Sequence, residues 1–410
     1  MKHKIFNPIF LILFLIIMIR LFVLEPCQVS TSSMEPTLIG DPITGDKILI
    51  NKCFFSMNRW DVVVFYYPLN PKKKFVKRLI GLPQEHVTIR NGNIFINGQI
   101  ARKPFKIQQN LLYNLFSSNN NDISLFWTDF DEQWQINKNF VTLPETSSTA
   151  WLTYYNGITN SYVPQQNGLW WKRSTPTYEV GGEENVGEVE LELDMVMKKQ
   201  EGNFFIQIQE NNYEFTLKLA TPISSLTCYK NSALWKTCEF SLTKQPKYHI
   251  IMKNIDFLLQ LQINGKDCIS VDYMQPLSEI PLHTQRSIVQ FGGNNSEFIV
   301  DNITLKRDIY YLGKDALYAD ENEWHVPKNS YFVLGDNPPK SNDSRYWKNY
   351  NLSNRTTLEE DTQANSEVQD SYFSQNLHQS SVETPFVQQD FMIGKALFIF
   401  WPLIHMNLIN

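Results

Sequence analysis

The chain has no Cys-x-x-Cys pair, no His-x-His and no His-Glu-x-x-His, and its seven histidines are scattered. Zinc sites need such ligand spacings, so neither a metal nor another cofactor is expected. Basic stripes are also missing: 37 Lys and Arg stand against 42 Asp and Glu, for a formal charge of −5. That balance, without aromatics interleaved among basic residues, excludes a nucleic-acid footprint. The longest basic run, residues 72–74, reads as a solvated loop. Five cysteines in 410 residues are too few, and odd in number, for a disulfide scaffold. Cys228 and Cys238 are close enough in sequence to bridge a hairpin in an oxidising compartment, or equally to be two free buried thiols.

Long apolar runs are scarce, and the one that exists is at the start. Lys2 and Lys4 precede "IFNPIFLILFLIIMIRLFVL", residues 5–24, about the 20 residues that cross hydrocarbon as a helix. The basic leader predicts an N-terminus inside and the rest of the chain outside. Arg20, one turn from the end, can reach the headgroups. "VLEPCQVS" offers no A-x-A cleavage site and a poor lipoprotein box, which favours an uncleaved anchor over a signal peptide. The C-terminal "FMIGKALFIFWPLIHMNLIN" is interrupted by Lys395, Pro402 and His405 and suits a strand better than a second span.

Beyond the anchor the pattern is β. "DKILINKCF" and "WDVVVFYYP" are short, rich in Val, Ile and aromatics, and bounded by Asp, Asn and Pro. Asn-Gly pairs at 91–92 and 97–98 signal tight hairpins. From about residue 105 the texture turns to Asn, Gln, Ser and Trp. There follow period-2 segments such as "EVELELDMVM", "NFFIQIQ", "YEFTLKLA" and "EFIVDNITLKRDIYY", as in a β-sandwich. Glu183, Glu184, Glu188, Glu190, Glu192 and Asp194 alternate with Val189, Leu191 and Leu193, so they read as the solvent face of a strand. The first texture returns at about 323. Residues 350–389, poor in large aliphatics, read as a polar surface loop.

The fold expected is therefore mainly β. A cytoplasmic N-terminus (1–4) and an anchor (5–24) lead into an antiparallel β domain in pieces (25–104, 323–349 and 390–410). A β-rich insert, 105–322, and the loop 350–389 interrupt it.

A serine hydroxyl needs a neighbouring base to become a nucleophile. With no histidine in a suitable setting, a lysine serves if burial lowers its pKa. Lys77 meets that condition, lying in a strand between Val76 and Leu79-Ile80, with Arg78 read as pointing to the opposite face.

"SSMEPTL" (32–38), "DVVVF" (61–65), "FVKRLIGLP" (75–83), "GDNPPKSNDSR" (335–345) and "GKALFIFWP" (394–402) together resemble, in order, the boxes of bacterial type I signal peptidases. Those are membrane-anchored Ser/Lys endopeptidases that remove signal peptides from exported proteins. The resemblance covers residues 1–104 and 323–405. It implies Ser33 as nucleophile and Lys77 as general base, with Ser341 orienting the lysine amine. Asp343 and Arg345 would be an ion pair fixing the Ser341 loop. The Ser33 N–H and the Thr31 hydroxyl, where the family has serine or glycine, would form the oxyanion hole. Val29, Met34, Leu38 and Val76 match walls of a pocket for small residues, and read equally as core. The implied setting is the inner membrane, with the catalytic domain on its outer side. Implied partners are preprotein signal peptides, the lipid bilayer and the protein export machinery.

Three departures stand out. The family's Arg-Gly-Asp is Arg59-Trp60-Asp61 here, and with Phe54, Phe55 and Met57 it makes an oily loop expected to dip into the outer leaflet. The family's Gly-Asp after the proline box is Gln84-Glu85. The insert is far larger than the family's second domain; its last strands faintly resemble a laminin-G or concanavalin-like sandwich. A spacer, a partner platform and a binder of an unknown ligand such as a sugar are all compatible with it. Two other functions remain open: a tethered β-sandwich adhesin or lectin with an inactive peptidase half, and a Ser/Lys autopeptidase of the SOS-repressor type.

Overall fold

The computed structural model describes residues 12, 14, 17–18, 20, 22–53, 56–161, 184–199, 201–220, 223–243, 245, 247–281, 285–312, 323–347 and 385–409. The expected polar loop at 350–389 lies mostly outside the described residues, as does most of the expected anchor. Within that stretch, residues 12, 14, 17, 18, 20 and 22 are helical. Among the described residues no helix is long and apolar enough to cross a membrane.

The chain forms two compact units, residues 1–87 with 168–176 and 323–410, and residues 88–167 with 177–322. The first is an eight-stranded sheet in the order Leu24–Gln28, Lys47–Asn51, Met392–Trp401, Val62–Tyr67, Asn70–Gly81, Ser330–Leu334, Val387–Gln388, with Asn407–Leu408 pairing off Met392–Trp401. The last long strand thus inserts in the middle of the sheet. "VVVF" does not alternate because both faces are covered. Val62 and Val64 pack with Met34, Leu38, Ile48 and Ala396, while Val63 and Phe65 pack with Leu79, Val333 and Trp347. Residues 72–74 are exposed as expected, but they belong to the strand Asn70–Gly81.

Trp60 does not contribute to the expected lipid-dipping loop. Its side chain is buried, at 4% exposure, and its backbone sits at φ 77°, a left-handed conformation that glycine adopts without cost. Phe54 and Phe55 lie outside the described residues. Gln84 has φ 67°, so both positions where the boxes expect glycine keep a glycine-like backbone. Glu85 receives a forked pair of hydrogen bonds from Arg59, at 2.9 and 2.6 Å.

The second unit is a β-sandwich, as the alternation predicts. One sheet runs Gln135–Ile136, Phe140–Leu143, Phe298–Arg307, Val189–Met197, Tyr248–Ile255, Leu258–Ile263, Lys266–Asp272, with Tyr113–Ser117 beside Phe298–Arg307. The other, of seven strands, runs Ala233–Ser241, Ile223–Lys230, Tyr213–Leu219, Asn203–Glu210, Ile288–Asn294, Ala150–Tyr154, Trp127–Thr128. Leu191, Leu193, Ile250 and Met252 of the first meet Phe204, Ile206, Phe215 and Phe291 of the second in one core. The Asn-Gly pairs turn at positive φ throughout, 50° and 81° at 91–92 and 52° and 79° at 97–98.

Glu188 and Glu190 are not solvent-facing as read. Both are buried: Glu190 accepts from Lys253 and Lys306 at 2.6 and 2.9 Å, and Glu188 accepts from Asn93 at 2.7 Å. Carboxylate oxygens of Glu188, Asp256 and Asp308 lie within 4.8 Å of one another, and the Lys103 ammonium pairs with Asp256 and, at 2.8 Å, with Asp308. Burial opposes the lysine's charge, but Asp256, Asp308 and Glu188 outweigh it and hold the ammonium protonated beyond the usual lysine range. Burial first, then Asp256 and Asp308, pushes Glu188 well up. Lys103→Met strands these carboxylates, and an isolated buried charge costs about 3–5 kcal/mol. Urea denaturation of the sandwich at pH 7 should show a loss of that order, shrinking at acid pH as the carboxyls protonate.

Candidate active site

Ser33 sits in the one-turn helix Ser32–Met34, entered from an extended Thr31 (φ −128°, ψ 150°). The turn is pinned from behind. Met34 and Leu38 are fully buried, and Leu38 N–H donates to the Met34 carbonyl at 2.9 Å. Gly40 passes so close that an added Cβ would lie 1.7 Å from the Thr31 carbonyl oxygen. From the other side, Asn337 donates its backbone N–H to the Ser33 carbonyl and its amide to the Ser32 carbonyl, each at 3.0 Å.

Lys77 comes from the strand Asn70–Gly81, opposite Val63 in register. Its Nζ donates to Ser33 Oγ at 2.7 Å and to the Val76 carbonyl at 3.0 Å. Both side chains are buried, at 4% exposure for Ser33 and 3% for Lys77. Burial lowers the lysine pKa from 10.5 to about 8, with Asp343 and Asp336 pulling back up and Arg345 pushing down. Thr31 Oγ1 lies 3.4 Å from Ser33 Oγ.

Asp343 and Arg345 are brought together as expected, and both side chains are fully buried. Arg345 donates Nε and a terminal nitrogen to the two carboxylate oxygens at 2.8 and 2.7 Å, and Asp343 also accepts from the Gly335 N–H at 3.0 Å. Ser341 is buried beside Gly335, where an added Cβ would lie 2.1 Å from Ser341 Oγ and 2.5 Å from the Ser33 carbonyl oxygen. Among the described residues its hydroxyl has no hydrogen-bond partner. The expected Ser341–Lys77 hydrogen bond is therefore not formed, because Lys77 Nζ is turned toward Ser33 and the Val76 carbonyl. Val29, Met34 and Leu38 are core residues, with Val76 packed against them and partly accessible.

Sequence reasoning missed a second buried ion pair. Arg78 donates to both oxygens of Asp336 at 2.7 Å each, and Asp336 also accepts from the Thr37 hydroxyl at 2.6 Å. Arg78 further holds the Trp60 carbonyl at 2.6 Å. Both partners were visible inside quoted boxes, but only the fold shows that a residue beside Lys77 meets one 258 positions away.

A hydroxyl held against a desolvated amine, with a second hydroxyl nearby, has the layout of a serine nucleophile with a lysine in place of histidine. The profile of the family "Signal peptidase, peptidase S26" matches residues 3–142 and 260–401, and the chain belongs to that family. Among its relatives, signal peptidase I of Pseudomonas fluorescens is 34% identical over 120 residues, covering 25% of this chain and 41% of that protein. Signal peptidase I P of Bacillus subtilis subsp. natto is 36% identical over 97 residues, covering 22% and 48%. The corresponding protein of Aquifex aeolicus (strain VF5) is 31% identical over 121 residues, covering 26% and 46%. The chain thus spans less than half the length of these relatives.

A buried lysine whose folded pKa lies below its unfolded value binds fewer protons folded than unfolded. Its penalty is complete below pH 8 and is relieved as the pH rises from about 8 to 10.5. Lys77→Met should therefore stabilise the unit that holds it at pH 7 by about 1–3 kcal/mol. Thermal unfolding of the two proteins from pH 6 to 10 checks this, with the difference narrowing above pH 8.

Proposed function

We propose that the protein is a membrane-anchored serine endopeptidase that cleaves N-terminal signal peptides from exported preproteins through an acyl-enzyme. The observation that carries this reading is the 2.7 Å contact between Ser33 Oγ and a Lys77 amine whose pKa is lowered to about 8. Once the amine is neutral, its lone pair accepts the hydroxyl proton as Oγ attacks the carbonyl preceding the cut. The resulting ammonium protonates the leaving amine. Lys77, neutral again, then takes a proton from the water that hydrolyses the ester. The oxyanion is met by the Ser33 N–H and the Thr31 hydroxyl, and a donor so placed contributes about 3 kcal/mol to the transition state. Val76, with Val29, Met34 and Leu38 behind it, bounds the pocket for a small side chain. Ser341 serves the amine only after a local turn of either group.

Residues 5–24 anchor the enzyme in the inner membrane, with the N-terminus cytoplasmic and the catalytic unit outside. Support comes from their apolar length, from Lys2 and Lys4 ahead of them, and from Ile12, Phe14, Ile17 and Phe22, which are helical and more than half exposed. The strand Leu24–Gln28 follows directly, so the nucleophile lies a few residues beyond the bilayer surface, where a signal peptide emerges. The substrates are preproteins delivered by the export machinery.

Cleavage of a preprotein in detergent should be abolished by Ser33→Ala and by Lys77→Ala, with the double variant no worse than either. Substantial activity in Lys77→Ala would remove the lysine from the role of base. For the wild type, kcat/KM should rise about tenfold from pH 7 and level off above pH 8, following the neutral amine.

A further inference from the structure

One row of side chains crosses the outer face of the seven-stranded sheet without a single charge. In register, Thr128 faces Thr153, which faces Gln290, then Gln207, Thr216, Thr227 and Thr237. Each strand supplies one residue, always threonine or glutamine, and none of them is buried. At the usual strand spacing the row is about 29 Å long. A sheet face needs only to be wettable, and the other sheet of the same sandwich achieves this with exposed ion pairs, Lys247 with Asp194 and with Asp301.

The centre of the row is hydrogen-bonded in one direction. Thr153 donates to Gln290 Oε1 at 2.9 Å, Gln290 Nε2 to Gln207 Oε1 at 2.5 Å, and Gln207 Nε2 to Thr216 Oγ1 at 3.2 Å. Among the described residues each glutamine keeps one amide N–H and one carbonyl lone pair free, oriented before any ligand arrives. Alongside, the Trp151 and Phe205 rings lie 5.9 Å apart, both in register with Gly292. A Cβ there would meet the Ala150 carbonyl oxygen at 2.3 Å and the indole at 3.1 Å, so glycine is needed for the close backbone approach beside this aromatic shelf.

We propose that this face binds an extended, uncharged oligosaccharide. A sugar hydroxyl both donates and accepts, matching the free half of each amide, and the apolar face of a sugar ring suits the Trp151 shelf. The row itself carries no cation for phosphate or carboxylate; the charges beside it on the same strand are Glu214, which accepts from the Thr216 hydroxyl at 3.5 Å, and the exposed Lys218. It also runs across the strands, whereas an extended peptide adds along a sheet edge.

The detergent-solubilised full chain should be slowed in native gels cast with a soluble neutral β-glucan or mannan, or should bind N-acetylated chito-oligosaccharides by calorimetry. Trp151→Ala, and separately Gln207→Ala with Gln290→Ala, should weaken that binding at least tenfold while the melting temperature is kept. If either fails to fold, Thr216→Val, which removes one partly accessible hydroxyl, replaces it. Three results overturn the proposal: no binding to any of these neutral glycans, binding that folded variants leave unchanged, or capture only of heparin or of an unfolded polypeptide.

Discussion

The unit that holds Ser33 and Lys77 is organised around one costly act, taking the Lys77 ammonium out of water. Desolvation is what brings its pKa toward neutrality, and it works only while nearby negative charge is kept in check. Asp336 and Asp343 are both close enough to pull the pKa back up, yet each is held by its own buried arginine, Arg78 and Arg345. The two forked pairs anchor the loop that carries Asn337 and Ser341, and Arg345 also pushes the lysine pKa down against the pull of the carboxylates. The charges around the amine and the position of the Ser33 turn are thus set by the same contacts.

Close backbone approach is the second requirement. Gly40 on one side of the Ser33 turn and Gly335 on the other stand where any side chain would collide with a carbonyl oxygen. The left-handed conformations at Trp60 and Gln84 show the converse. The backbone shape persists where the side chain has changed, and the Trp60 indole is absorbed into the protein interior.

Much of this was legible in the sequence. Period-2 runs and Asn-Gly pairs marked the strands and hairpins, and the ordered boxes pointed to Ser33 and Lys77, which the fold brings to 2.7 Å. What stayed hidden depends on partners distant along the chain. Alternation sent Arg78 away from the site without showing that Asp336 waits there. The burial of Glu190 depends on Lys253 and Lys306, one strand away on either side. The uncharged row appears only once seven strands are in register, since each strand contributes a single unremarkable Thr or Gln. The insert therefore read as a sandwich, while the chemistry of its face did not read at all.

The central claim is that Lys77 is available as a neutral amine near physiological pH. NMR titration of the protein carrying isotope-labelled lysine, with the signal assigned by its loss in Lys77→Met, measures this without substrate. A single lysine resonance titrating near pH 8, well below the others, is the predicted result. A Lys77 signal titrating at 10 or above, in the ordinary lysine range, would contradict the account.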